Sequence, residues 1–438
     1  VGVRRGFILQ SGWRAEAGRP VVRLFGTLEG GGSFLVRETR QRPRFWIRAK
    51  DAGAAADVGA ASRACDVVAW TGEPAAEIEL RLPSDVPALR DALHDAGVRT
   101  FEADVRFAYQ PLVDRGIRGS IAIEGEARPG KAAGEGVDVV FDDPEIAPAD
   151  WTPELSVLSI DIETDPRAAH LLSVALSGCG ADEVLLVAPP GTERPEGARH
   201  FASERELLRE LVRRVRELDP DVLTGWNFVD FDLAVLNRIA AAQRVALTLG
   251  RGRDPLALRA SSSPWRASEA RVAGRVVLDG IDLVRGAFLR FESFSLDAVA
   301  REVLGEGKTV AGEGRAREIL AMYREDRARL VEYNLRDAQL ALAILRRLHL
   351  VELAVERSRL TGMPPDRVAA SIASFDFLYL AQLRRRRIAA PTVDVGRSFA
   401  AMGGGHVLEP AAGLHRNVLV LDFKSLYPSV IRTFQIDP

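Results

Sequence analysis

The sequence predicts a multidomain α/β protein: a mostly β or α+β N-terminal part, followed by a mixed sheet flanked by helices. Three observations carry this prediction. The chain has 438 residues, 47% of them hydrophobic, which is enough material for two to four separate cores. Its first third is a run of short apolar segments punctuated by Gly, Pro and charge. From about residue 151, strand-like segments alternate with long amphipathic helical patterns, as in layered α/β architectures.

In order, strands are predicted at Gly6–Leu9, Val21–Leu28, Ser33–Val36 and Arg44–Ile47, from β-branched and aromatic runs bounded by turn residues. A helix is predicted at Pro87–Ala96, then strands at Thr100–Phe107 and Ile117–Glu124. The stretch Glu126–Asp150, rich in Gly, Pro and Asp, reads as a loop or linker. Val157–Glu163, Leu171–Ser177 and Glu183–Val187 read as neighbouring strands. In Glu204–Asp219 the residues Leu207, Leu208, Leu211, Val212, Val215 and Leu218 share one helical face. Val222–Thr224 and Arg275–Asp282 read as strands. Asp230–Ala242, Leu296–Leu304, Glu313–Met322 and Asp326–Leu348 read as helices. A turn at Thr361–Pro365 precedes a helix from about Asp366 to Arg385. Val418–Phe423 then reads as an apolar strand and Leu426–Thr433 as a short helix. So little core follows Pro391 that the C-terminal stretch reads as the opening of a larger domain.

Composition excludes some classes of function. With 59 basic and 61 acidic residues the formal net charge is −2, so the chain as a whole is not a basic nucleic-acid wrapper. Local patches still decide that question. Lys occurs only at positions 50, 131, 308 and 424, an Arg bias that reflects base composition more simply than function. Two cysteines, Cys65 and Cys179, give neither a disulfide framework nor a cysteine metal site. The absence of a signal peptide and of any 18-residue apolar run points to the cytoplasm.

The chemistry gathers around the segment VLSIDIETD at 157–165. On a strand, Asp161 and Glu163 point to the same side, with Ile162 turned the other way. Two adjacent carboxylates repel unless a cation lies between them. A divalent metal and an ordinary solvated strand end are both compatible with this segment alone. Further acids lie in GWNFVDFDLAVL, where Asp230 and Asp232 cannot share a helical face, and in VEYNLRDAQL. There Asp337 follows Tyr333 by one helical turn, which suits a hydroxyl that holds an attacking water. Carboxylates without His or Cys suit Mg²⁺ or Mn²⁺ acting on phosphate oxygens, two such ions serving an in-line displacement.

These residues also carry a family resemblance. The chain resembles the N-terminal half of a family B DNA polymerase, bacterial members in particular. The first exonuclease motif of that family is matched by Asp161, Ile162, Glu163 and Thr164, the second by Asn227, Phe231 and Asp232, and the third by Tyr333 and Asp337. The second match selects Asp232 over Asp230. FESFSLDAVAREVL at 291–304, followed by GEGK at 305–308, is also similar to the family. GGGHVLEP at 403–410 resembles its segment between exonuclease and polymerase regions. DFKSLYPSVIRTFQIDP at 422–438 resembles its first polymerase motif, with Asp422, Ser425, Leu426, Tyr427 and Pro428 in place.

The resemblance implies an N-terminal domain at 1–150 and a ribonuclease H-like 3′–5′ exonuclease at 151–360. It further implies a helical segment at 361–390 returning to the N-terminal domain, and an incomplete polymerase palm from 391. It implies catalytic roles for Asp161, Glu163, Asp232, Tyr333 and Asp337, with the four acids as ligands of two Mg²⁺ or Mn²⁺ ions. Thr164, Asn227, Phe231 and Phe294 become candidate contacts for the terminal nucleotide. Asp422 would bind polymerase metals and Tyr427 would pack under the incoming sugar. The expected partners are a single-stranded DNA 3′ end and primer–template, with a sliding clamp reached through a further C-terminal part; no membrane is expected. Alone, Asp422 cannot complete nucleotidyl transfer, so the stretch is expected to be exonuclease-active at most. The alternative is a catalytically inactive DNA-binding or scaffold fragment. The Arg384–Arg387 run remains either a phosphate contact or a solvated helix end.

Overall fold

The computed structural model describes residues 2–261, 268–307, 315–367, 371–393 and 408–436. The chain forms two compact units. One comprises Val1–Arg44, Leu80–Val86 and Val105–Arg386; the other comprises Phe45–Glu79, Pro87–Asp104 and Arg387–Pro438.

Among the described residues the larger unit holds two large sheets and a two-stranded pair, Ala257–Arg259 with Glu269–Arg271. A seven-stranded sheet runs in the order Glu145–Pro148, Ser120–Glu124, Arg4–Glu16, Arg19–Leu28, Ser33–Glu38, Val139–Asp142 and Ala127–Pro129. The stretch after Glu126 was expected to be loop or linker, and this is corrected: three of its short segments are strands. Their Gly and Pro residues mark the turns, while Val140, Phe141 and Ile146 are buried. Tertiary pairing here overrides local composition. Thr100–Phe107 is likewise shorter than expected, a strand only at Thr100–Phe101.

The second sheet has six strands, in the order Ala198–Phe201, Ala181–Val187, Leu171–Gly178, Val157–Thr164, Val222–Gly225 and Val276–Asp279. Val157–Thr164 lies antiparallel to Leu171–Gly178 and parallel to Val222–Gly225, which is parallel in turn to Val276–Asp279. Helices cover both faces, the mixed α/β arrangement that the sequence predicts. On one face Ile160, Ile162, Val174 and Leu176 pack with Leu207, Leu208, Leu211 and Val215 of the Glu204–Leu218 helix. That helix begins where the Ser203 hydroxyl accepts the Glu206 N–H at 3.3 Å, an N-cap followed by acids in the first turn. On the other face Ala175, Val184 and Leu186 meet Leu330, Val331, Tyr333 and Ala338 of the Arg327–Arg347 helix. Strand alternation thus sends Ile160 and Ile162 to the first core, and Asp161 and Glu163 to the side of the Arg327–Arg347 helix.

The starts of the three parallel strands are tied by a buried ion cluster. Asp221 Oδ2 accepts the Ser156 N–H at 3.0 Å and its hydroxyl at 2.9 Å. Arg251 reaches Asp219 Oδ1 at 2.8 Å and Asp221 Oδ1 at 2.9 Å. Arg275, 1% exposed, meets Asp219 Oδ1 at 2.9 Å and donates to the carbonyls of Leu249 and Pro220. Burial, and then the nearby Arg251 charge, pull the Arg275 pKa down to about 10; it stays protonated at neutral pH.

The smaller unit is a five-stranded sheet, ordered Ile388–Ala389, Ser62–Ala69, Pro74–Glu79, Arg44–Arg48 and Thr100–Phe101. Trp46, Ala69, Ala75, Phe101 and Ala389 form its core. The helix Leu426–Phe434 forms as expected. The strand expected at Val418–Phe423 does not: the segment has no regular structure and Leu419, Val420 and Leu421 are exposed. An apolar run becomes a strand only when its backbone groups find a partner, and no described strand pairs with it. The helix expected from Asp366 is described over Ser371–Arg385, with 368–370 outside the described residues. Gly403–Val407 of GGGHVLEP and Lys308 of GEGK also lie outside them. No helix among the described residues is long and apolar enough to cross a membrane.

Replacing Arg275 by Leu leaves Asp219 to Arg251 alone and removes a buried donor from the carbonyls of Leu249, Pro220 and Val215. We expect a loss of about 3–5 kcal/mol in urea unfolding of the larger unit; a change below about 1 kcal/mol contradicts the tying role.

Candidate active site

The parallel strands end where the candidate residues begin. Asp161 and Glu163 close the Val157–Thr164 strand; Asn227 and Asp232 follow the end of Val222–Gly225; Asp279 ends Val276–Asp279. In open α/β sheets this carboxyl edge is where ligands bind. The pairing register shifts between Glu163 and Thr164, and such irregularities commonly re-aim side chains beside functional sites.

Each acid has a mechanical reason for its position. Asp161 Oδ2 accepts the Asn334 amide at 2.7 Å. The Oδ1 of Asn334 in turn accepts the Ser173 hydroxyl at 2.8 Å. The Arg327–Arg347 helix is therefore fixed on Asp161 one turn before Asp337. Asp232 sits in a π-helical turn, Phe228–Leu233, entered through Asn227 in the left-handed region at φ 59. The wider turn brings Asp232 inward, 2% exposed, where its Oδ1 accepts the Ile162 N–H at 3.0 Å; Asp230 is exposed. The turn is braced by Asp279, whose Oδ2 accepts the Val229 N–H at 3.0 Å and whose Oδ1 accepts the Ile281 N–H at 2.9 Å. Gly225 leaves the space beneath: a Cβ there would lie 2.5 Å from the Ile160 carbonyl oxygen.

Asp161, Glu163 and Asp337 each offer a carboxylate oxygen, all within 4.8 Å of one another. Asp232 lies beside this set. Burial, and then the Asp161 charge, push its pKa well above the usual carboxylate range, against the Ile162 N–H. Tyr333, 1% exposed, has its pKa raised by burial and by the Asp337 carboxylate, so it remains a hydroxyl. Three carboxylates this close, with hard oxygen donors and no His or Cys among them, fit a divalent cation such as Mg²⁺ or Mn²⁺.

A cleft of about 790 Å³ opens beside the carboxylates, lined among others by Thr164, Asn227, Phe231 and Phe294. Phe231 is 40% exposed and presents an aromatic face to the opening. Phe294 is half-buried, under the Arg285 guanidinium at 4.9 Å, with its carbonyl accepting the Trp226 indole N–H at 2.9 Å. Its ring is thus more occupied than that of Phe231. Asp422, Ser425, Leu426, Tyr427 and Pro428 belong to the smaller unit and are all exposed.

Sequence reasoning missed Arg315, Asn334, Asp279 and Ser173. Arg315 Nη2 lies 3.1 Å from Asp337 Oδ2 and 3.3 Å from Glu163 Oε1, with its guanidinium 5.5 Å from the Tyr333 ring centroid. Burial opposes its charge, but the carboxylates, Glu163 foremost and then Asp337, outweigh burial and raise its pKa. Asn334 had a local signal, standing three residues before Asp337 on one helical face. Arg315 had none in an Arg-rich sequence.

The crowding implies stored repulsion. Asp232→Asn keeps an acceptor for the Ile162 N–H and removes a carboxylate. We expect it to raise the unfolding free energy of the metal-free protein by about 1 kcal/mol; a lowered denaturation midpoint contradicts this.

The chain is similar to known proteins. The model "DNA polymerase family B, exonuclease domain" matches residues 182–299, and "DNA polymerase family B" matches residues 369–437. The chain is 36% identical over 351 residues to DNA polymerase II of Escherichia coli (strain K12), covering 79% of this chain and 43% of that protein. To the DNA polymerase of Thermococcus sp. (strain 9oN-7) it is 28% identical over 461 residues, covering 98% of this chain and 54% of that one. The chain thus spans about half the length of these curated relatives. The solved family B DNA polymerase of the hyperthermophilic archaeon Pyrobaculum calidifontis superposes with a TM-score of 0.75 at 25% identity, over 98% of this chain and 57% of that one. With exonuclease and polymerase regions both matched in order along it, the chain belongs to the family B DNA polymerases.

Proposed function

We propose that residues 151–360 are a 3′–5′ proofreading exonuclease, which hydrolyses the 3′-terminal phosphodiester of DNA and releases a deoxynucleoside monophosphate. The observation that carries this reading is the convergence of Asp161, Glu163 and Asp337 within 4.8 Å, beside a cleft large enough for a nucleotide. We further propose the division into an N-terminal domain at 1–150, a returning helical segment at 361–390 and the start of a palm from 391. Residues 422–428 are read as the first polymerase motif, with Asp422 for polymerase metals and Tyr427 for the incoming sugar. The full protein is read as a DNA-directed DNA polymerase of bacterial replication or repair. Its partners are primer–template DNA and a sliding clamp, in the cytoplasm at the nucleoid.

In the mechanism, Asp161, Glu163, Asp232 and Asp337 would hold Mg²⁺ or Mn²⁺. When bound, the metal supplies a lowered water pKa and charge neutralisation at the phosphate oxygens. The protein supplies position. Asn334 and Ser173 fix Asp161, and the Ile162 N–H fixes Asp232. Tyr333, held as a neutral hydroxyl, orients the attacking water over Asp337. Phe231 stacks on the terminal base, Asn227 and Thr164 border its sugar, and Phe294 lines the far wall of the cleft. A frayed 3′ end reaches this cleft more cheaply than a paired one, because unpairing costs less at a mismatch.

The decisive assay follows mononucleotide release from a 3′-labelled single strand with Mg²⁺ or Mn²⁺. The double variant Asp161→Ala, Glu163→Ala is expected to lose about 10³-fold or more in rate, equivalent to about 4 kcal/mol. Equal rates in the two proteins overturn the assignment. Phe231→Ala, which removes a stacking face worth about 1–3 kcal/mol, is expected to raise KM for single-stranded DNA about tenfold with a smaller effect on kcat. An effect confined to kcat would place Phe231 outside base binding.

A further inference from the structure

Arg315 lies where a cation is most needed. Its Nη2 bridges Glu163 Oε1 and Asp337 Oδ2, two of the three carboxylates that approach one another most closely. It lies on the helix described over Arg315–Glu325. Glu163 is 3% and Asp337 1% exposed, so in the absence of any cation both would stand as charges with little water to solvate them. The Arg315 side chain itself is 40% exposed. It borders the cleft and has open space on that side.

We propose that Arg315 is a resident counter-cation, which neutralises Glu163 and Asp337 while the site holds no metal and which a divalent ion displaces when it binds. The inference rests on the exonuclease reading, because it assumes that these carboxylates take a metal. Nη2 contacts two of the three carboxylates that would hold such an ion, and two cations on the same pair of carboxylates repel strongly in a site with little water. Metal entry therefore requires the guanidinium to turn towards the open side of the cleft. Arg315 acts through Glu163 and Asp337 and is a positioning residue. Its consequence is a threshold: the site stays assembled without metal and fills only above a concentration that Arg315 sets.

The test uses Mn²⁺ alone, without DNA, on the 438-residue chain. Mn²⁺ binding is read by electron paramagnetic resonance, and thermal unfolding is followed in EDTA and in Mn²⁺. Arg315→Met is expected to bind Mn²⁺ at least about tenfold more tightly than the unsubstituted protein, to unfold at a lower temperature in EDTA, and to gain more from Mn²⁺. Arg315→Lys, which keeps the charge, should stay near the unsubstituted affinity. Unchanged or weaker Mn²⁺ binding by Arg315→Met overturns the proposal while leaving the exonuclease reading intact, provided Glu163→Gln, Asp337→Asn abolishes binding. If that double variant binds Mn²⁺ as well as the unsubstituted protein, the metal lies elsewhere and both readings fall.

Discussion

Mutual repulsion among carboxylates at the edge of a sheet is the constraint on which the rest of this structure depends. Asp161, Glu163 and Asp337 are brought within 4.8 Å, and Asp232 is buried beside them. Charges so placed would separate if their backbones were free to move. They do not, because each is held by something that does not depend on a bound ion: the amide of Asn334 on Asp161, the Ile162 N–H on Asp232, and the packed Arg327–Arg347 helix under Asp337. Carboxylates held this rigidly keep their places whatever their counter-charge, and such preorganisation makes electrostatic interactions effective.

The opposite end of the same strands supplies the rigidity. Asp219, Asp221, Arg251 and Arg275 join the starts of Val157–Thr164, Val222–Gly225 and Val276–Asp279 through paired, hydrogen-bonded charges. That buried cluster is neutralised internally, two acids against two bases. Among the described residues, the carboxyl end sets Asp161, Glu163, Asp232 and Asp337 beside Arg315. The sheet therefore carries a balanced ionic end, which fixes its register, and an acidic one. The π-helical turn at Phe228–Leu233 belongs to the second end, and the hydrogen bonds of Asp279 hold it there.

How much of this was legible in the sequence differs from residue to residue, for physical reasons. The facing of Asp161 and Glu163 followed from strand alternation, and Asp337 below Tyr333 from helical spacing, because both are local periodicities. Choosing Asp232 over Asp230 needed the family motif, since a π-helical turn breaks the 3.6-residue pattern from which a side is read. Among the strands after Glu126, Val139–Asp142 was hidden because its partner, Ser33–Glu38, lies about a hundred residues earlier. Val418–Phe423 shows the converse: its pattern is strand-like, yet pattern without a pairing neighbour gives no strand. Arg315 was invisible because its meaning lies in the two acids it meets, 152 and 22 residues away.

Those separations also bear on how the site forms. In the six-stranded sheet Val157–Thr164, Leu171–Gly178 and Ala181–Val187 pair as local hairpins, whereas Asp161 meets Asn334 across 173 residues. Non-local contacts form late, after loop closure has been offset by burial of apolar surface. The core on the Glu204–Leu218 side is built without these acids. Repulsion rises only as the Arg327–Arg347 helix docks and brings Asp337 towards Asp161 and Glu163. At that stage the apolar contacts of Leu330, Val331 and Ala338 are forming on the same helix face, and they hold the acids together. Stability and chemistry are thus carried by different residues of one helix, and the acids can be kept in an arrangement that no folding energy of their own would select.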